Sequence, residues 1–204
     1  SKLLAQHGVT GFLPSIGSLD PKRTSDVLSD LSQQCDQVQG ARALGIHSEG
    51  PCFGAPGAHN PENLLLPSMK LGREMLSATD GKLKAVTLAP ELKGAEKFIS
   101  LMKAHGVSVH LGHSQALAEN ISKYVGWGID AVTHMYNVTK ASPPDDSGVH
   151  VFSLPDALLA EPNLPLGLIC DGIHVHPKLV KFLAQLPENR VFLETDSIMY
   201  AGTD

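Results

Sequence analysis

Five polar residues, Glu49, His113, His134, Asp171 and Asp196, stand at the ends of apolar runs. They are far apart in the chain. If the runs are parallel strands, their ends meet at one mouth. Glu49, His113 and His134 would then form a divalent-metal set, because two neutral imidazoles and a carboxylate suit zinc, with a fourth position open to water. A metal there would bring the pKa of that water towards neutrality. Asp196 could accept a proton from the water and return it to a leaving group. Each residue also has a plainer reading. A lone histidine at a strand end commonly makes a structural hydrogen bond. Glu49 could cap a loop, and Asp171 and Asp196 could cap the helices that follow them. No H-x-x-x-H pair occurs among the ten histidines.

The elements that must position these residues follow a repeated pattern. Seven short apolar runs are read as strands, at 8–15, 43–49, 84–89, 106–113, 130–137, 166–171 and 190–196. They are too short for helices and rich in branched residues. Helical stretches fall between them. Asp20-Pro21 makes an N-cap with proline at the first helical position, followed by Val27, Leu28 and Leu31 on one side. Residues 92–105 carry Ala95, Phe98, Leu101 and Met102 at helical spacing and stop at Gly106. Ser114 can cap a helix running to Val125, and Pro177 can start another with Leu179, Val180, Leu183 and Leu186. Strands alternating with helices imply a parallel sheet. Seven of them predict most of a (β/α)8 TIM barrel, with an open doubly wound sheet as the alternative. No interdomain linker is evident, so residues 1–204 are read as one partial barrel domain. The irregular stretches 51–67 and 140–148 both follow strand ends, which places them on the catalytic face of a barrel.

Composition narrows the function classes. The chain has 204 residues, is 42% hydrophobic and carries a net charge of −5. It can bury a core, and with no Lys/Arg run it is a poor ligand for nucleic acid or anionic membranes. No apolar stretch approaches a membrane span. Three widely spaced cysteines, Cys35, Cys52 and Cys170, fit a reducing compartment.

Local motifs sharpen the expectation. Gly45-Ile46-His47-Ser48-Glu49-Gly50-Pro51, with Gly57-Ala58-His59-Asn60-Pro61 after it, resembles a stretch of the N-acetylglucosamine-6-phosphate deacetylases of the amidohydrolase superfamily. Leu88-Ala89-Pro90-Glu91, Gly112-His113-Ser114, Thr133-His134-Met135-Tyr136-Asn137, Asp171-Gly172-Ile173-His174-Val175-His176 and Thr195-Asp196 follow in that family's order. The resemblance implies a metal-dependent barrel with Glu49, His113 and His134 as metal ligands and Asp196 as acid/base. It implies substrate contacts from His59 near the scissile carbonyl, with Ala58 beside it. His174 would bind the sugar, and the backbone of Asn137 and Val138 the phosphate. The implied reaction hydrolyses the 2-acetamido group of N-acetylglucosamine 6-phosphate to acetate and glucosamine 6-phosphate. The implied cofactor is one divalent ion, zinc first, with iron and cobalt accepting the same ligands. The implied setting is the cytoplasm, as a homodimer when full length.

Some features depart from the family. The opening strand and the small β-domain are missing, so the chain is expected to be a central fragment with about seven of eight barrel strands. Asp145 falls near the position expected of a phosphate-binding Arg, with Lys140 as a substitute point charge. Cys52 stands where an aromatic or apolar residue is usual. A related N-acetylated sugar, a cyclic amide, or a catalytically silent remnant are the alternative readings. His47 is expected to support the site from the same strand as Glu49, and Cys170 to pack as a small apolar residue.

Overall fold

The computed structural model of the chain describes residues 1–139 and 150–198. Its helices are α1 (Lys2–Gln6), α2 (Pro21–Cys35), α3 (Met69–Thr79), α4 (Ala95–Ala104), α5 (Ile121–Trp127), α6 (Leu154–Ala160) and α7 (Pro177–Leu183). Its strands are β1 (Gly11–Phe12), β2 (Ser15–Ile16), β3 (Arg42–Ala43), β4 (Ile46–Glu49), β5 (Leu83–Leu88), β6 (Ser108–Leu111), β7 (Ala131–Val132), β8 (Leu166–Ile169) and β9 (Val191–Glu194).

Seven strands form one parallel sheet in the order β2-β4-β5-β6-β7-β8-β9, and β1 pairs with β3 in a separate two-stranded sheet. The order follows the chain without reversal. That is the order of a (β/α) barrel opened along one side, and it rules out the doubly wound alternative, whose strand order reverses at a switch point. Among the described residues β2 and β9 are the two free edges.

The first two predicted strands each divide in two. Pro14 lies between β1 and β2 and has no N–H for the ladder, so it pairs only through its carbonyl, which accepts from the His47 N–H at 3.0 Å. Between β3 and β4 the break falls at Leu44-Gly45, where Gly45 has φ 143°. The central strands read as continuous apolar runs because both faces are covered. All four residues of β8 are buried, as are five of the six in β5.

Helix ends obey local chemistry. Asp20 accepts from the Lys22 N–H at 3.0 Å with Pro21 at the first turn, and Thr24, Leu28, Ser32 and Cys35 of α2 face the core. His176 does the same for α7, its Nδ1 accepting from the Lys178 N–H at 3.2 Å. The helix expected from Ser114 starts instead at Ile121, after a short 3-10 turn at Ala118–Asn120. Ser114 cannot cap it because its hydroxyl donates to Glu91 at 2.7 Å and accepts from the Ala116 N–H at 3.1 Å. Leu28, Ile46, Leu88, Phe98, Ile99, Met102, Leu111 and Leu166 are among the fully buried side chains between helices and sheet.

The cysteines divide by environment. Cys35 and Cys52 are buried, whereas Cys170 is exposed, contrary to its expected packing. The strand run ends at Ile169, so Cys170 already belongs to the turn at the mouth. Burial pushes the Cys52 thiol up to about 12 and raises that of Cys35. Since the thiolate is the nucleophile, the native chain is expected to take one alkyl group from iodoacetamide, at Cys170, and three after denaturation. Intact-mass measurement before and after denaturant checks this. Rapid native modification of Cys52 would contradict the packing around it.

Candidate functional site

The strand ends converge on the carboxylate of Glu49, the last residue of β4. His113 Nε2 lies 3.0 Å from Glu49 Oε1 and His134 Nε2 lies 2.9 Å from the same oxygen. His59 Nε2 lies 3.9 Å from Glu49 Oε2. His113 and His134 are each only 3% exposed. Among the described residues, the possible ligand atoms of Glu49, His59 and His113 all lie within 4.8 Å of one another. His134 joins the same centre through Oε1.

Hydrogen bonds on the far side of each ring decide which nitrogen carries a proton. His59 Nδ1 accepts from the Ser18 N–H at 3.2 Å, so a neutral His59 presents Nε2–H towards the centre as a donor. His113 is the reverse. Its Nδ1–H donates to the Ala55 carbonyl at 3.1 Å, so a neutral ring turns the Nε2 lone pair to Glu49. A lone pair facing a carboxylate oxygen at 3.0 Å requires a positive charge between or on them, a proton or a metal ion. His134 Nδ1 is buried and has no hydrogen-bond partner. By tautomer, then, a neutral His113 turns a lone pair to the centre and a neutral His59 an N–H, even though distance alone groups them together. Phe53, which sequence reasoning missed, stacks on His113 with ring centroids 4.1 Å apart and meets His59 edge-on at 4.9 Å. Only its place beside the Glu49-Gly50-Pro51 turn hinted at it.

Electrostatics follow from this packing. Burial alone would raise the Glu49 carboxyl. The close approach of His113, then of His134, with His59 3.9 Å away, outweighs it and holds Glu49 well below the usual carboxylate range. Burial alone would lower His134, but its hydrogen bond to Glu49 and the Glu49 charge raise it. Asp196 is exposed by area. Partial desolvation of its carboxyl, then the Glu49 charge, nevertheless push it above the ordinary Asp value. His134, His174 and His113 also act on it electrostatically, so Asp196 stands at the same mouth.

The remaining expected residues sit around this centre. His174 Nδ1 bonds the Asp171 carboxylate at 2.7 Å, and Asp171 also accepts the Ile173 and His174 N–H groups. Those bonds hold Asp171 down at about 2. They fix His174 with Nδ1–H as donor and Nε2 outward. Asp171 therefore closes its own turn rather than capping the helix that follows, whose N-cap is His176. The Asn137 N–H is committed to the His134 carbonyl at 2.9 Å, but Asn137 Nδ2 is buried without a partner. Val138 is half-buried, and Ala58 is exposed beside His59. His47 does not touch Glu49. Its ring spans Ser15 Oγ at 2.9 Å and Thr87 Oγ1 at 2.8 Å, and burial with the neighbouring His110 charge lowers it to about 4, so it lines the barrel interior as a neutral ring. Lys140 and Asp145, and with them the question of the phosphate-binding cation, lie outside the described residues.

No protein-family model matches the chain. Curated relatives do. The N-acetylglucosamine-6-phosphate deacetylase of Danio rerio is 31% identical over 207 residues, covering 99% of this chain and 51% of its own length. The N-acetylgalactosamine-6-phosphate deacetylase of Escherichia coli O157:H7 is 30% identical, covering 97% and 52%. Among solved structures, the N-acetyl-D-glucosamine-6-phosphate deacetylase of Mycobacterium smegmatis superposes with a TM-score of 0.87 at 28% identity over all of this chain and 52% of that one. A D267A mutant of that protein has been solved in complex with N-acetyl-D-glucosamine-6-phosphate. The Thermotoga maritima enzyme gives 0.83 at 29% identity. The chain spans about half the length of the curated relatives it matches. In sequence and in fold it is similar to the N-acetylglucosamine-6-phosphate deacetylases over about half of their length.

Proposed function

We propose that the protein containing this chain hydrolyses the acetamido group of an N-acetylhexosamine 6-phosphate, N-acetylglucosamine 6-phosphate first. The observation that supports this most directly is the tautomer pattern around Glu49: one lone pair from His113 aimed at the carboxylate, and one N–H from His59 aimed into the same space. Glu49, His113 and His134 are the proposed ligands of one divalent ion, zinc by preference for this donor set. When bound, such an ion supplies Lewis acidity and brings a water's pKa near neutrality.

The chain's own groups do the rest. An amide is a poor electrophile with a poor leaving group. His59 Nε2–H is placed to donate to the acetamido oxygen as negative charge develops there. Asp196 takes a proton from the attacking water and delivers it to the departing nitrogen, and its raised pKa brings it closer to the pH at which both transfers proceed. His174, oriented by Asp171, binds a sugar hydroxyl. Asn137 Nδ2, the free buried donor, and the backbone at Val138 face the phosphate end. The full-length protein is proposed to work in the cytoplasm as a homodimer. No helix among the described residues is long and apolar enough to cross a membrane.

The direct test is acetate release from N-acetylglucosamine 6-phosphate, from its galactosamine epimer and from both unphosphorylated sugars, with zinc or cobalt present. Preference for a phosphorylated sugar is expected. Equal rates with and without the 6-phosphate would favour the reading as a deacetylase of a different N-acetylated sugar.

A further inference from the structure

Two carboxylates that the proposed mechanism does not use stand behind the two buried histidines. His113 and His134 both sit in the left-handed region, with φ 49° and 33°. Such backbone is costly for a residue with a side chain and persists only where its surroundings hold it. Glu194, at the end of β9, accepts the backbone N–H of His134. Glu91, after β5, accepts the Ser114 hydroxyl at 2.7 Å and the Gln115 N–H at 2.6 Å, fixing the turn that begins at His113. Gln115 in turn donates to the Gly54 carbonyl at 2.7 Å.

Each carboxylate occupies the space that a side chain on a neighbouring glycine would take. A Cβ at Gly167 would collide with Glu194 Oε1, and a Cβ at Gly54 would collide with Glu91 Oε1. Gly167 is on β8, next to β9 in the sheet, and Gly54 is in the loop whose N–H bonds the His113 carbonyl at 2.9 Å. The same device therefore occurs twice, built from different strands: a glycine-seated carboxylate holding a left-handed histidine turn from behind. Both carboxylates are half-buried. Burying Glu194 costs free energy that a hydrophobic residue there would not.

We infer that Glu194 and Glu91 are positioning residues, which hold the main chain at His134 and at the His113 turn so that both Nε2 atoms converge on Glu49. The inference rests on the proposed ligand set of Glu49, His113 and His134. Main-chain bonds of this kind aim a ligand without touching the metal, and losing such a partner typically weakens metal affinity about 10–100-fold.

The test uses Co2+ as the probe, with its absorption spectrum as a report of ligand geometry and chelator competition for affinity. Glu194→Ala should weaken Co2+ binding about 10–100-fold and alter the spectrum. Glu194→Gln, whose amide oxygen can still accept the N–H, should stay within a few-fold of the parent. Gly54→Ala, which displaces Glu91 while leaving it in the chain, should weaken binding by the same order as Glu194→Ala. Parental affinity in Glu194→Ala, or equal loss in Ala and Gln variants, overturns the role of Glu194. Parental affinity in Gly54→Ala overturns that of Glu91. A second reading needs no metal and no truncation. The His134 amide proton, followed by selective labelling of the metal-free protein well above the carboxylate range, should move upfield in Glu194→Gln as a charge-assisted bond becomes a neutral one. If the parent itself binds no Co2+, the ligand assignment fails, and the amide resonance alone decides the inference, with an unmoved resonance overturning it.

Discussion

Replacing Asp196 by Asn is expected to lower acetate release about 1,000-fold, within the range that a lost general acid/base produces. The substitution is chosen for its backbone. Asp196 has φ 46°, a conformation that Asn tolerates and Ala does not, so the amide should occupy the carboxylate's place without disturbing the turn. It removes the ability to exchange a proton and little else. Metal content should therefore stay at the parental level while turnover falls. Steady-state acetate assays of the full-length protein, with elemental analysis of the same samples, measure both. A rate within threefold of the parent would remove Asp196 from the mechanism. A parallel loss of metal would make it a ligand rather than an acid/base.

Replacing His113 or His134 by Ala should take the metal content from about one tightly held ion per chain to nearly none after dialysis, because two remaining protein ligands do not retain zinc. The same change at His59 should leave the ion in place and reduce turnover, since the Ser18 N–H commits His59 Nδ1 as acceptor and leaves its Nε2 protonated. Loss of metal on replacing His59, but not His134, would reassign the site to Glu49, His59 and His113, whose possible ligand atoms lie within 4.8 Å of one another. The pH dependence has a definite sign. Glu49 is held far below the carboxylate range and stays ionised. His134 is raised, chiefly by its bond to Glu49 acting against burial, so a proton competes with the metal for it further up the pH scale than for a free imidazole. Affinity should be flat above that pKa. It should fall by about tenfold for each pH unit below it, one proton displacing one ion. Titration with a colorimetric chelator at stepped pH gives the slope.

Much of this was legible in the chain itself. Strand runs, the polar residue at the end of each, and the Asp20-Pro21 and His176-Pro177 helix starts depend on residues within a few positions of one another, so periodicity and capping chemistry reveal them. Chain order alone allowed the convergence of Glu49, His113 and His134, once the strands were taken as parallel neighbours. What only the tertiary structure decided are the bonds made across long stretches of chain. The His113 bond to Ala55 spans 58 positions, that of His134 to Glu49 spans 85, and that of Glu194 to His134 spans 60. The first of these selects a tautomer, and the last holds a strained turn. Neither leaves a local signature, because no neighbour in sequence takes part. The displaced start of α5 has the same origin: Ser114 reads as a helix cap until Glu91, 23 positions earlier, takes its hydroxyl. Local chemistry determined which residues reach the mouth of the barrel, and contacts between distant strands decided which of their atoms face inward.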